Sequence, residues 1–433
     1  MTRKSRRARP SCLSRYVYVK GRDQFFDRQT RDFHTLRAVS RAHAHELPEG
    51  TNFTQLLLSG PDAVEKADGV TFWPGQPELV EEDGGMRLNL WRQPGLTARE
   101  GRVGPFLRHV AHILDDDETA IHFVLNFLAH LVQQPDQKMR FALLIIGSQG
   151  TGKSMLADMA RELVGKDNTK SLNPSGLVAD HNEWVQTAQL VVVHELVGDN
   201  SRTAAARLKE LITEDMTLVN PKGVSAYQQR NRANFILLSN EDDAAKLDPD
   251  DRRYFVWKSQ AAKPHSRNYF DRLSAWFKGG GRERVLHYLL TRDLSGFSPF
   301  RAPPRTASRA DLVAASRHPA HDYLQERLEA GEAPFACDLF TLPDLSDYLA
   351  REKQMRLGHR QLGPIMRSLG AVDLGQKRFP EGKRRIWAAR HVENWSSKSE
   401  DQIVAAFRRP GELAPASSAA AAQPRRRTKL SSF

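Results

Sequence analysis

Eight consecutive residues, Gly147, Ser148, Gln149, Gly150, Thr151, Gly152, Lys153 and Ser154, carry the strongest chemical signal in the chain. They fit G-x-x-x-x-G-K-[ST], set between an apolar run (FALLII, 141–146) and a run with helical spacing (SMLADMARELVG, 154–165). The glycines let the backbone curl until successive N–H groups face one centre and cradle phosphate oxygens. The dipole of the following helix points at the same anion. Lys153 reaches the β- and γ-phosphates, and the Ser154 hydroxyl is a Mg2+ ligand. The pattern predicts a site for ATP with Mg2+; a glycine-rich turn without a ligand is the alternative.

Hydrolysis also needs an acid at the end of a neighbouring strand. QLVVVHEL (189–196) is a β-branched buried run that ends in Glu195, placed to polarise a water and to shape the metal site. His194 precedes it where a second carboxylate would serve, and neutral imidazole is a poor Mg2+ ligand. Ser154 and water are therefore expected to hold the metal, with Glu195 as the base. HELVG lacks the second histidine of a zinc protease. NFILLSN (234–240) ends in Asn240, an amide able to orient the attacking water, or a simple turn-former. In KLDPDDRRYFVW, Arg252 and Arg253 follow an acidic turn and enter a strand. Placed so, they could complete a neighbouring subunit's site, or they form surface ion pairs with Asp250 or Asp251.

These groups must be held by regular elements. From 139 to about 294, short apolar runs alternate with helical patterns, which argues for a mostly parallel, three-layer α/β domain. A small mixed region is expected over 1–101, disordered over 1–14, with two strands around Gly21 and a turn-rich 68–101. A helical pair fills 102–135 and the α/β domain 136–294. Pro, Ser and Ala mark 295–319 as a linker. A second compact unit covers 320–395, and 396–433 reads as a disordered basic tail.

The ordered set GSQGTGKS, VVVHEL, NFILLSN and DDRR resembles the superfamily 3 helicases, in particular the helicase part of phage and plasmid primase–helicase proteins. The resemblance covers about 120–295, and His194 departs from the family pattern. It implies an AAA+-like P-loop ATPase core that assembles as a ring, usually a hexamer, around one DNA strand. It also places a DNA-tracking hairpin in TLVNPKGVSAYQQRNR (217–232). NPKG reads as the tip, and Lys222 there can grip a backbone phosphate without reading bases. Lys209, Arg230 and Arg232 are weaker candidates.

Residues 341–395 read as helix, helix, strand, basic turn and strand, an order that resembles a winged helix, with the second helix interrupted at Gly363-Pro364. Arg360, Gln361 and Arg367 fall on the recognition helix; Lys377, Arg378, Lys383, Arg384 and Arg385 fall on or beside the wing. Such a module binds DNA or a protein. The whole-chain expectation is an α/β protein: a P-loop core, a small α+β N-terminal region and a C-terminal winged-helix domain.

Composition agrees with a polyanionic partner. The 433 residues hold 64 basic and 52 acidic side chains, a net +12, and the charge is clustered. Residues 1–9 carry five basic groups and no acid, and 351–390 carry eleven basic groups against three acids. Cys12 and Cys337 are too few for a disulfide framework or a cysteine-rich zinc site. Neither a secretory signal nor a membrane-length apolar run is visible, so a cytoplasmic protein is the expectation. No primase-type pair of acidic motifs stands out in 1–135, so any primase or polymerase is expected to be a separate chain. The leading reading is an ATP-dependent helicase or translocase on single-stranded or forked DNA in the replication of a mobile element. A loader that remodels replication proteins is the runner-up, and a small-molecule kinase has no use for a basic winged end.

Overall fold

The computed structural model describes residues 14–46, 53–59, 64–195, 201–240, 251–262, 268–316 and 319–407. The basic 1–9 stretch, Cys12, Asp250 and most of the expected basic tail lie outside the described residues. The chain forms two compact units, 1–316 and 317–433. Among the described residues no helix is long and apolar enough to cross a membrane.

The first unit opens with two small sheets. Strands β1 (Tyr16–Val19), β2 (Gln24–Asp27), β3 (Phe33–His34) and β4 (Glu65–Ala67) form one, in the order β3-β2-β1-β4. β5 (Gly69–Thr71), β6 (Leu79–Glu82) and β7 (Gly85–Asn89) form the other, in the segment that sequence marks only as turn-rich. These strands are three to five residues long, too short for a period of two to show.

The helical pair follows as Gly104–Ile113 and Glu118–Gln133, with Asp117 capping the second helix by accepting from the Ala120 amide. Five parallel strands come next in space: β8 (Ala142–Ile146), β9 (Thr169–Leu172), β10 (Leu190–His194), β13 (Asn234–Ser239) and β14 (Tyr254–Lys258), in the order β14-β8-β13-β10-β9. A hairpin, β11 (Met216–Val219) and β12 (Tyr227–Arg230), interrupts the chain between β10 and β13.

Side chains on these strands alternate between two cores. Leu143, Ile145, Val192, Ile236, Leu238 and Phe255 pack under the helical pair and the Lys153–Val164 helix. Leu144, Ile146, Val191, Val193, Leu237 and Val256 pack against the Ser201–Thr213 helix and Leu312 and Val313. Continuous apolar runs are what a parallel sheet covered on both faces requires. Leu312 and Val313 belong to a helix, Ala307–Ser316, where the sequence reads as a linker. It is held by burial of two side chains and by Thr306 Oγ1 donating to the Val256 carbonyl at 2.6 Å.

In the second unit, β15 (Leu339–Phe340), β16 (Val372–Phe379) and β17 (Gly382–Ala388) pair antiparallel in the order β15-β17-β16. They pack with the helices Pro319–Ala330, Leu342–Lys353 and His359–Ser368. The last of these continues through Pro364, its sixth residue, and the interruption expected at Gly363-Pro364 does not appear. Residues 400–406, expected within the disordered tail, form a helix that buries Ile403, and Phe407 meets Phe379 with centroids 5.4 Å apart.

Buried amides stitch the lower ends of the parallel strands. Asn234 accepts from the Met139 amide at 2.8 Å and donates to the Gln189 carbonyl at 3.1 Å. Gln189 donates to the Leu131 carbonyl at 2.7 Å, and Asn168 donates to the Arg92 and Val164 carbonyls. Asn234→Ala should leave buried backbone groups without their side-chain partner and cost about 2 kcal/mol. A urea denaturation midpoint that does not move would show that water replaces the amide freely.

Candidate active site

Parallel strands leave their C-terminal ends on one edge, and the loop 147–152 leaves β8 there. Gly147 N donates to the Ser239 carbonyl at 3.1 Å, tying the loop to β13. Gly152, at φ +108°, caps the Lys153–Val164 helix. A Cβ there would lie 2.4 Å from His109 Cε1, so only glycine fits.

A cavity of about 430 Å3 opens at this edge. Gln149, Gly150, Gly152, Lys153 and Ser154 line it, as do His194, Glu195 and Asn240. The structure thus gathers the residues singled out from three separate motifs. Lys153 is almost wholly buried, and its ammonium donates to the Gly147 carbonyl (2.6 Å), the Ser148 carbonyl (2.9 Å) and Asn240 Oδ1 (3.1 Å). Burial pushes its pKa below the ordinary lysine value. Thr151 faces inward instead, its hydroxyl bonded to the Ser148 carbonyl at 3.0 Å. Glu195 is exposed and sits at φ +54°, a conformation uncommon outside glycine. Its amide donates to the Leu238 carbonyl at 2.9 Å. Strained backbone of this kind concentrates at functional sites.

Three further residues at this edge escape sequence reading. Asp158 and Phe270 line the cavity. His109, from the first helix of the pair, lies beneath the loop, with Nε2 3.1 Å from the Gly152 carbonyl and Nδ1 3.0 Å from the Tyr269 hydroxyl. A carbonyl can only accept, so Nε2 carries the proton and Nδ1 accepts from tyrosine. Nothing local marks His109, because a histidine in an apolar helical face reads as core.

Arg252 and Arg253 lie elsewhere. Tyr254 pairs with Ala142, so both arginines sit at the start of β14, one full strand from the loop, or about 15 Å at the usual rise. Arg253 is bound to the buried Asp251 at 3.1 Å, and Lys209 reaches the same carboxylate at 3.3 Å. Arg252 is exposed. Neither arginine can reach the phosphate loop of its own chain.

The hairpin forms where it is expected, and its tip carries an exposed Lys222 beside Gly223 at φ +75°. The other basic candidates there hold structure: Arg230 pairs with Glu82 at 3.3 Å, and Arg232 donates to the Asp136 carbonyl. In the second unit, Arg360, Arg367, Lys383, Arg384 and Arg385 line one cavity of about 580 Å3 with Asp344 and Asp373. Arg384 pairs with Glu381 and Arg385 with Asp373, while Arg367 lies 5.5 Å from the Trp387 ring centre. Gln361 caps its own helix by accepting from the Gly358 amide, and Lys377 and Arg378 lie on β16 outside that cavity.

Burial pushes the His109 imidazole down to about 4 from 6.5. The unfolded chain therefore takes up a proton at this residue as pH falls below 6.5, while the folded chain resists until about 4. Stability from His109 is complete above 6.5 and is lost between 6.5 and 4, by roughly 3 kcal/mol. Denaturation measured at both pH values should show this loss in the wild type and a loss smaller by that amount in His109→Gln. Equal pH dependence in the two proteins would place the acid-sensitive group elsewhere.

Residues 145–253 match a family described as one of unknown function, DUF5906. The chain is 26% identical over 189 residues to a DNA primase-polymerase of Nitratiruptor phage NrS-1, a match covering 42% of this chain and 26% of that protein. The chain thus aligns with about a quarter of that relative's length. Two apo structures of the NrS-1 C-terminal region share its fold. One, of residues 305–718, has a TM-score of 0.60 at 16% identity and covers 83% of this chain and 84% of its own. The other, the A form, has a TM-score of 0.63 at 15% identity and covers 86% and 96%.

Proposed function

We propose that the protein is an ATP-driven DNA helicase or translocase that serves replication of a phage or related mobile element. The observation that carries this reading is the convergence of Lys153, Ser154, Glu195 and Asn240 on one cavity at the C-terminal edge of a parallel sheet. The likeness to a phage DNA primase-polymerase supports a place in phage DNA replication. The strand order β14-β8-β13-β10-β9, with the loop following the first of these strands in the chain, supports an AAA+-like core.

The residues present fit ATP with Mg2+. The Lys153 ammonium is already held at the loop, and phosphate oxygens can replace the carbonyls it now bonds. Loop N–H groups and the helix N-terminus bind the same oxygens. Ser154 and water would hold the metal at a site that Glu195 shapes, and the metal would supply charge neutralisation at the β- and γ-phosphates. Glu195 polarises the attacking water and takes its proton. Asn240, in contact with Lys153, orients that water beside the γ-phosphate. Phe270 gives the cavity an aromatic wall.

In a homo-oligomeric ring, most simply a hexamer, Arg252 of one subunit completes the site of the next, since it lies at the opposite end of the sheet from the loop. Lys222 contacts the DNA backbone, and the basic cavity of the second unit, a winged helix in this reading, contacts forked or single-stranded DNA through Arg360, Arg367 and Lys383.

Lys153→Ala should lower ATP hydrolysis by two to three orders of magnitude or about that, and Glu195→Gln should bind ATP while turnover stops. Wild-type hydrolysis in Glu195→Gln would move the base to another residue. Single-stranded DNA should stimulate the wild-type rate; stimulation by a protein partner alone would favour the loader.

Mixing Arg252→Ala with Lys153→Ala, each inactive alone, should restore activity, because a mixed interface pairs an intact loop with an intact arginine. Absence of rescue, with a rate per subunit independent of concentration, would remove the contribution in trans.

A further inference from the structure

Beside the hairpin tip the first unit opens another cavity, of about 700 Å3, separate from the nucleotide site. Its walls come from the first N-terminal sheet, from β9 with the turn before it, and from the 221–224 tip. Arg22, Arg31, Lys170 and Lys222 line it, and none has a carboxylate within ion-pair distance among the described residues.

The two arginines are held by neutral groups. Arg22 donates to Gln186 Oε1 at 2.7 Å and to the Tyr227 hydroxyl at 3.2 Å, and lies 4.4 Å from the Phe33 ring centre. Arg31 donates to the Leu90 carbonyl and lies 5.0 Å from the Phe26 ring centre. Both are fixed in place by neutral groups, with Asp167 and Glu78 acting on Arg31 only from beyond ion-pair distance. Lys170, on β9, makes no hydrogen bond and no ion pair among the described residues, although it is largely desolvated. Such a cation costs stability wherever nothing binds it. Two carboxylates, Asp167 and Glu183, share these walls with five cations; Asp167 pairs with Arg92 at 2.9 Å and Lys166 with Glu162 at 3.3 Å, which leaves Glu183 beside Arg22, Arg31, Lys170 and Lys222.

A positive trough that also presents an aromatic ring is how proteins hold a single strand without reading its sequence. We propose that a single DNA strand passes from Lys222 at the tip across Lys170 to Arg22 and Arg31, with its bases against Phe33. The hairpin would then not be the end of the path, and the N-terminal sheet would be part of the DNA-binding surface. The path begins at Lys222 and so rests on the role proposed for that residue.

Fluorescence anisotropy of a labelled oligo-dT strand with the full chain, at several salt concentrations, tests this. Lys170→Gln should weaken binding several-fold and reduce the salt slope by about 0.7, one phosphate's worth. Its melting temperature should equal or exceed the wild type's, because a desolvated, unpaired charge is gone. Lys222→Ala separates the two readings. Weaker binding in Lys222→Ala with affinity and slope unchanged in Lys170→Gln would keep the hairpin contact and overturn the cavity. Weaker binding in Lys170→Gln alone would keep the cavity contact and overturn the hairpin. No change in either variant, or no strand binding by the wild type, would overturn both. A strand carrying 5-iododeoxyuridine gives an independent readout. Irradiation should crosslink it to the peptide containing Phe33, and crosslinks confined to the hairpin or the second unit would overturn the path.

Discussion

A parallel sheet covered on both faces is dry, so polar chemistry can enter or leave it only at the strand ends. Strands β14, β8, β13 and β10 of the central sheet obey this constraint, whereas the edge strand β9 turns Lys170 and Ser171 outward in mid-strand. At the lower ends, Asn168, Gln189 and Asn234 are buried amides that satisfy backbone groups of neighbouring segments. At the upper ends, the loop, Glu195 and Asn240 face a cavity instead. One edge is stitched shut and the other is left open, and the open edge collects the reactive groups because all five strands point the same way.

Lys153 shows how the open edge is prepared. Its ammonium is buried among two loop carbonyls and the Asn240 amide, each a weaker partner than a phosphate oxygen. An incoming anion therefore exchanges partners with a side chain already in position. Below it, neutral His109 braces the Gly152 carbonyl and ties the loop to Tyr269. The glycine at that place is enforced from below by the imidazole as well as by its own positive φ.

Net charge gives little guide to which cations act. Lys209, Arg230, Arg232 and Arg253 are engaged with Asp251, Glu82, the Asp136 carbonyl and Asp251 respectively. Lys222 and Lys170 are not so engaged. A cation already paired has given its field to its partner, whereas one left unpaired on a concave wall keeps it for a ligand. The same sorting applies in the second unit, where Arg384 and Arg385 have acidic partners and the side chains of Arg360 and Lys383 make no ion pair among the described residues.

The sequence alone carried the phosphate loop, the alternation of buried strands and helices, the acid and amide at two strand ends, and the hairpin between them. Those signals are local: a glycine spacing, an apolar run of strand length and a turn dipeptide each act within a few residues. The strands β1 and β2 around Gly21 were legible, but β5, β6 and β7 in the turn-rich segment were not, being too brief to show a period, nor was the 307–316 helix, which is held by two apolar side chains docked on a distant sheet. His109, Phe270 and Lys170 carry no local mark either. Each acquires its meaning from its neighbours brought near by the fold: His109 from Gly152, Phe270 from the loop cavity, Lys170 from a cavity wall where no ion pair forms with it among the described residues. Pattern within a segment sets its conformation, but burial and charge pairing are properties of neighbours in space, and only the tertiary structure decides those.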